Sequence, residues 1–185
     1  ISKYDDADDR WYIECNSSDV PHVYFRIGGA QKLGAQASSA ITALENTWVH
    51  VAIVADRGTS MYIYINGVSV ALDSNTHNDF TDLDNDGDLT FMNYNTVYTE
   101  GSMKNAAIWS RALTATEVQN VMYKSYAEVS GRLKDNLMSW KALDGEVGSD
   151  GNAGSGYILD EVSGAGSTTN LGTITNAVVN TDLYG

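Results

Sequence analysis

Trp48-Val49-His50-Val51-Ala52-Ile53-Val54-Ala55-Asp56, followed closely by Met61-Tyr62-Ile63-Tyr64-Ile65-Asn66-Gly67-Val68, decides the fold class. Val49, Val51 and Ile53 alternate with His50, Ala52 and Val54, which is the period-2 pattern of a β-strand. Both faces are largely apolar, so this strand is expected inside a sheet rather than at an edge. A turn at Asp56-Arg57-Gly58 leads into Met61, Ile63 and Ile65, which alternate with Tyr62 and Tyr64. Asn66-Gly67 then separates two alternating runs. A type I′ hairpin turn needs positive φ at both central residues, and Asn and Gly tolerate it best.

The same alternation extends outward in both directions. Trp11, Ile13 and Cys15 share one strand face, with Tyr12, Glu14 and Asn16 on the other. Val23, Phe25 and Ile27 repeat the pattern against Tyr24 and Arg26, and Gly28-Gly29 break it. Leu33 to Ala43 predicts a weaker strand; Leu89 to Tyr94 and Met103 to Ser110 predict two more. The period then changes. Thr114-Ala115-Thr116-Glu117 is a capping box, in which hydroxyl and carboxylate each satisfy the other's backbone N–H. Val118, Val121, Met122 and Tyr126 form one stripe of a short helix. Residues 129–136 are expected to be a linker or turn. From Leu137 onward the chain is rich in Gly, Ser, Thr and Asn, with strand-like pieces at 137–143, 157–159 and 176–179. Many short strands and one short helix predict an all-β antiparallel sandwich.

Composition narrows the function. The 185 residues carry 43% hydrophobic side chains and a formal net charge of −13. Nucleic-acid binding runs on Lys and Arg neutralising phosphate, so nucleic acid is excluded as a partner. An anionic membrane surface is excluded for the same reason, and no apolar run approaches the roughly 20 residues of a membrane-spanning helix. Cys15 is the single cysteine. It forms no intrachain disulfide, and its alternating position predicts a small buried hydrophobe. Ile1 opens on what reads as mid-domain sequence, so a piece of a longer or processed polypeptide is expected.

Three stretches together resemble a laminin G-like module of the concanavalin A-like group. They are the Trp48–Asp56 strand, the Met61–Val68 hairpin, and Met103–Val118, where the last sandwich strand runs into a short helix. The resemblance implies a jelly-roll sandwich with one short helix after its last strand, and a module that binds or assembles rather than catalyses. Such a module usually opens with a strand holding an aromatic and a Leu-Asp pair. That opening is missing before Ile1 and stands instead at Leu137–Asp144 and Ile158–Gly164. The expected organisation is therefore a sandwich over 1–128, a linker over 129–136, and a module-opening segment over 137–185. That segment completes its own sandwich, completes a neighbouring copy in a homo-oligomer, or begins a further module.

Asp82-Leu83-Asp84-Asn85-Asp86-Gly87-Asp88 has the carboxylate spacing of the first half of an EF-hand loop. It marks Asp82, Asp84, Asp86 and Asp88 as candidate Ca²⁺ ligands. The twelfth loop position is Asn93 rather than Glu, and a solvated acidic turn fits the same residues. Asp5, Asp6, Asp8 and Asp9 read as a solvated loop. Asn16-Ser17-Ser18 matches a glycosylation acceptor. No motif for a nucleophile elbow, zinc protease or phosphate loop occurs, and no alternating carboxylate pair of the glycosidase kind. No enzyme activity is expected. Two functions remain: glycan recognition, with Tyr62, Tyr64 and Tyr94 as candidate stacking rings, or structural assembly with a neighbouring protein subunit of a phage virion, tail fibre or surface filament. Either places the protein outside the cell, at a cell surface or on a virion.

Overall fold

A computed structural model describes residues 1–56, 58–78, 87–94, 97–98, 101–143, 157–158, 162 and 172–173. They fall into two compact units, Ile1–Gly101 with Ala112–Met122, and Ser102–Arg111 with Tyr123–Gly185.

The first unit is an antiparallel sandwich. One sheet is built from β1 (Ser2–Tyr4), β2 (Arg10–Cys15), β3 (Pro21–Ile27), β4 (Ala30–Ala37), β8 (Leu72–His77) and β9 (Asp88–Thr90), in the order β8-β4-β3-β2-β1-β9. The other holds β5 (Val51–Asp56), β6 (Ser60–Ile65) and β7 (Val68–Ser69), in that order. The chain changes sheet at Val70–Ala71. A small ribbon of β10 (Asn93–Tyr94) and β11 (Val97–Tyr98) follows, and then α1 (Ala115–Val121).

The core forms where the alternation points. Val23, Leu33 and Ala35 from the larger sheet meet Met61, Ile63 and Ile65 from the smaller, and all are buried. Ile13, Phe25, Ile53 and Leu72 pack against them. Each large side chain buried here contributes roughly 1.5–3 kcal/mol. The hairpin turns as its sequence requires: Asn66 and Gly67 have φ of 49° and 75°, and Ile65 pairs with Val68. Asn66 also clamps the entry to β5. Its Oδ1 accepts from the His50 N–H at 2.9 Å, and its own N–H donates to the His50 carbonyl at 2.8 Å. The Thr114–Glu117 capping box opens α1, which buries Val118 and Val121. Gln119 Nε2 donates to the Gly67 carbonyl at 3.1 Å, tying helix to hairpin.

Four expectations are corrected. Among the described residues β5 pairs only with β6, so it is an edge strand, and Val51 is 41% exposed. Its two apolar faces have another cause: Ile53 packs on the core while Val54, on the opposite face, is also buried at 6%. Cys15 is exposed, because it pairs with Pro21 at the hairpin end of β2, beyond the core. The weak strand expected over 33–43 is β4, which begins earlier and lies inside the larger sheet between β3 and β8. The helix stripe stops at Val121; Tyr126 belongs to a separate 3₁₀ turn.

In the second unit β12 (Ala106–Trp109) pairs antiparallel with β13 (Leu137–Lys141). Residues 129–136 are folded: Val129 and Leu133 are buried and Gly131–Leu133 is a 3₁₀ turn. Trp140, 2% exposed, packs edge-on to Trp109 at 6.3 Å. The Trp109 indole N–H donates to the Leu133 carbonyl at 2.8 Å. Two short strands, β14 (Tyr157–Ile158) and β15 (Gly172–Thr173), pair antiparallel. No helix among the described residues is long and apolar enough to cross a membrane.

Candidate functional site

Positions that alternate with the core residues of the larger sheet form its outer face. Register aligns them in rows: Arg10 opposite Arg26, Tyr12 opposite Tyr24, and Glu14 opposite His22. Tyr24 is followed across the sheet by Gly34, and His22 by Gln36. The Tyr12 and Tyr24 rings stack at 5.3 Å with planes 15° apart. From β10, Tyr94 meets Tyr12 edge-on at 4.7 Å and Tyr4 at 5.9 Å. His22 lies 5.6 Å from the Tyr12 ring and, through Nδ1, 3.6 Å from the Glu14 carboxylate. All four tyrosines are half-buried. At the neighbouring edge the Ser2 and Thr90 hydroxyls share a hydrogen bond of 2.8 Å.

The Tyr12 and Tyr94 rings keep their hydroxyl protons. Burial, then the Glu14 carboxylate beside it, pushes the Tyr12 phenol up to about 12. Burial likewise raises Tyr94. Each phenol is therefore a neutral donor and acceptor throughout the physiological range. Next to Tyr24, Gly34 has no side chain, and the space above it is taken by a neighbour. A Cβ there would run into the Gln31 side-chain amide, which folds over the position. The resulting face combines flat aromatic surface with hydrogen-bonding rims, the mixture that suits an amphipathic ligand.

The sequence-expected residues separate. Tyr62 and Tyr64 adjoin each other in β6, tilted 39° at 6.3 Å, on the outer face of the smaller sheet. Tyr62 is 40% exposed, but Tyr64 is 6% exposed and its ring has almost no surface left for a sugar. Tyr94 lies on the other outer face, within the cluster described above. Tyr4, Tyr12, Tyr24 and His22 form a group that the alternation of single strands does not reveal. Alternation had already set Tyr12 and Tyr24 outward; the missing step was to pair their strands across the short turn at 16–20.

Of the candidate cation ligands, Asp82, Asp84 and Asp86 lie outside the described residues. Asp88 is exposed and pairs with Tyr4 at the sheet edge. Among the described residues no group of three or more His, Cys, Asp or Glu is placed to hold a metal. Gly87 has a packing role of its own: a Cβ there would strike the Tyr4 carbonyl and the Asp5 backbone nitrogen.

Residues 1–119 match the model of the concanavalin A-like lectin/glucanases superfamily, laminin G type. The chain belongs to this superfamily. The matched span covers every strand of the sandwich and most of α1. A search of curated proteins gave no match. Among solved structures, an S-layer domain-containing protein from Clostridium thermocellum is similar at 22% identity and a TM-score of 0.32. The alignment covers 63% of this chain and 58% of that one. The superfamily's description spans lectins and glucanases. A glycosidase needs two carboxyl groups across its cleft. On β2, β3 and β4 the outward positions among the described residues carry one carboxylate, Glu14, beside its His22 partner.

Proposed function

We propose that this chain is a non-catalytic carbohydrate-binding module whose contact surface is the outer face of the six-stranded sheet. One observation carries the reading: four tyrosines from four separate strands converge there, with His22 and Glu14 beside them. Tyrosine offers large, rigid contact area with a polar tip and little rotamer entropy to lose. That is what recognition of a sugar, apolar on its ring faces and polar at its rim, requires. We place the module at an extracellular or other surface location, with Tyr62 as a second ring to test. Any bound Ca²⁺ is assigned by carboxylate spacing to the loop of Asp82, Asp84, Asp86 and Asp88.

The deciding experiment is a glycan array read with the wild-type chain, Tyr12→Ala, Tyr24→Ala and Tyr62→Ala. Binding to at least one glycan, weakened tenfold or more by Tyr12→Ala or Tyr24→Ala with the fold intact by circular dichroism, supports the assignment. Binding lost only with Tyr62→Ala moves the site to the smaller sheet. Measurable turnover of a bound polysaccharide would overturn the non-catalytic reading.

A second reading is assembly with a neighbouring subunit, favoured by the edge position of β5 and the exposure of Trp48 and Val51 at 51% and 41%. Concentration-dependent association in sedimentation, abolished by Val51→Lys, would support it. For the segment from Leu137 we propose closure on its own chain, supported by the β12–β13 pairing. Its deletion should then destabilise the remainder; an equally stable, monomeric remainder would count against it.

A further inference from the structure

Two arginines stand directly opposite one another on the same outer face. Arg10 of β2 pairs with Arg26 of β3, two residues along the strands from the Tyr12–Tyr24 stack. Like charges directly across a strand pair are destabilising. Among the described residues the buried Nε atoms of both have no hydrogen-bond partner. A buried donor without an acceptor adds a further cost. The chain holds 11 Lys and Arg in all, so the juxtaposition is not a by-product of a basic surface.

The nearby carboxylates compensate the arginines only in part, and Asp6, within electrostatic reach of Arg10, is held chiefly by backbone N–H groups. Asp6 Oδ1 accepts from the Asp8 and Asp9 N–H groups, and Asp9 Oδ1 accepts from Gly28 N–H at 2.8 Å. Arg10 Nη1 donates to the Ala7 carbonyl. Asp8 faces Arg26, its carboxylate 3.6 Å from Nη2, and that carboxylate is 63% exposed. This is a loose, wet ion pair, of the kind that contributes little. Arg10 also lies within electrostatic reach of the rings: burial raises the Tyr12 and Tyr94 phenols, and Arg10 opposes the rise in both.

We propose that Arg10 and Arg26 make this face a receptor for a sugar bearing a carboxylate, with the ring on Tyr12 and Tyr24 and the carboxylate between the two guanidinium groups. This rests on the carbohydrate-binding assignment above and names its ligand class. Same-face residues on one strand are roughly 7 Å apart. A pyranose over Tyr24 therefore reaches the Arg26 position with its exocyclic carboxylate. The planar guanidinium fork matches a carboxylate in a way that ammonium does not. Asp8 occupies the anion's place in the free protein, and the ligand displaces it. Glu14 at the opposite end of the ring stack repels the carboxylate and so fixes the ligand's direction.

The test uses matched oligosaccharides of galacturonate, glucuronate and mannuronate, each as the free acid and as its neutral methyl ester, titrated calorimetrically against the full chain. The expected result is that at least one free acid binds tenfold or more tighter than its ester. Arg26→Gln and Arg10→Gln should each erase that preference, while Asp8→Asn should tighten free-acid binding severalfold. Because the arginine variants could perturb the fold, Asp8→Asn, which removes only the competing carboxylate, serves as the independent arm. Esters binding as well as acids, or Asp8→Asn weakening acid binding, would overturn the carboxylate receptor and leave the carbohydrate-binding assignment standing. Binding of a neutral glycan alone has the same meaning. Failure of every glycan on the array would overturn both.

Discussion

Asn75 offers a direct test of how the two sheets are joined. The outer edge of β6 has a short neighbour: β7 pairs only through Val68 and Ser69, and the Val70 N–H reaches the Ile63 carbonyl at 2.9 Å. Beyond that point no strand faces Met61 on this side among the described residues. The side chain of Asn75, from β8 in the opposite sheet, takes the strand's place. Its Oδ1 accepts from the Met61 N–H and its Nδ2 donates to the Met61 carbonyl, both at 3.2 Å. Met61 itself is fully buried in the core, so these groups have poor access to water as a substitute. Each hydrogen bond contributes about 0.5–1.5 kcal/mol net, and more where the partner is left unsatisfied. Asn75→Ala should therefore cost about 1–3 kcal/mol. In a chain of this size that corresponds to a fall in Tm of roughly 2–4 °C per kcal/mol. Asn75→Asp is the sharper variant, since it keeps the acceptor but sets a second oxygen against the Met61 carbonyl. It should be at least as damaging as alanine. Urea unfolding followed by tryptophan fluorescence measures both. A loss under about 0.5 kcal/mol for both variants would mean that Asn75 does not bridge the sheets.

Three further outcomes are expected. Tyr12 has a folded-state pKa raised to about 12, so the stability its neutral form contributes is complete below its unfolded value of about 10 and is lost as pH rises from there through the folded value. Ultraviolet titration of wild type against Tyr12→Phe should show this phenol ionising late; ionisation near pH 10 would contradict its burial. Gly87→Ala should destabilise the β1–β9 pairing by about 1–3 kcal/mol, as overpacking against unyielding backbone does, and a neutral substitution in thermal unfolding would refute that close approach. Millimolar Ca²⁺ should raise Tm because a ligand bound only by the folded state stabilises it, and Asp84→Ala should abolish the rise; an unchanged Tm would reduce the loop to a solvated acidic turn.

Much of the sandwich was legible because alternation reports which face of a strand is covered. Val23, Met61 and Ile63 are all fully buried positions that period 2 selects. The Asn66-Gly67 turn and the Thr114–Glu117 box were legible for a different reason: each is a local rule satisfied within four residues. The misreadings share a cause as well. Ile53 and Val54 are covered on opposite faces while Val51 stays 41% exposed, and nothing in the apolar pattern distinguishes a paired edge from a bare one. Cys15 continues the inward face of β2 in sequence, but the core ends before the strand does.

The contact face illustrates the same limit more sharply. Tyr12 and Tyr24 were each assigned outward by their own strands, yet a site is a statement about neighbours. Two facts beyond single-strand periodicity were needed. One is the register that sets Tyr12 against Tyr24 and, two positions on, Arg10 against Arg26. The other is the return of the chain after the acidic loop, which brings Tyr94 to within 4.7 Å of Tyr12 over a separation that no local rule spans. Register is in principle recoverable from sequence here. The turn between β2 and β3 is short, and a one-residue slip would carry Ile13 and Val23 out of the core. Fixing that register fixes the opposition of the two arginines with it. The charge pair is therefore an unavoidable consequence of burying Ile13 and Val23 unless the residues at 10 and 26 are themselves changed. Burying Ile13 and Val23 thus brings together whatever side chains stand at 10 and 26, and in this chain those are the two guanidinium groups that the proposed carboxylate would meet.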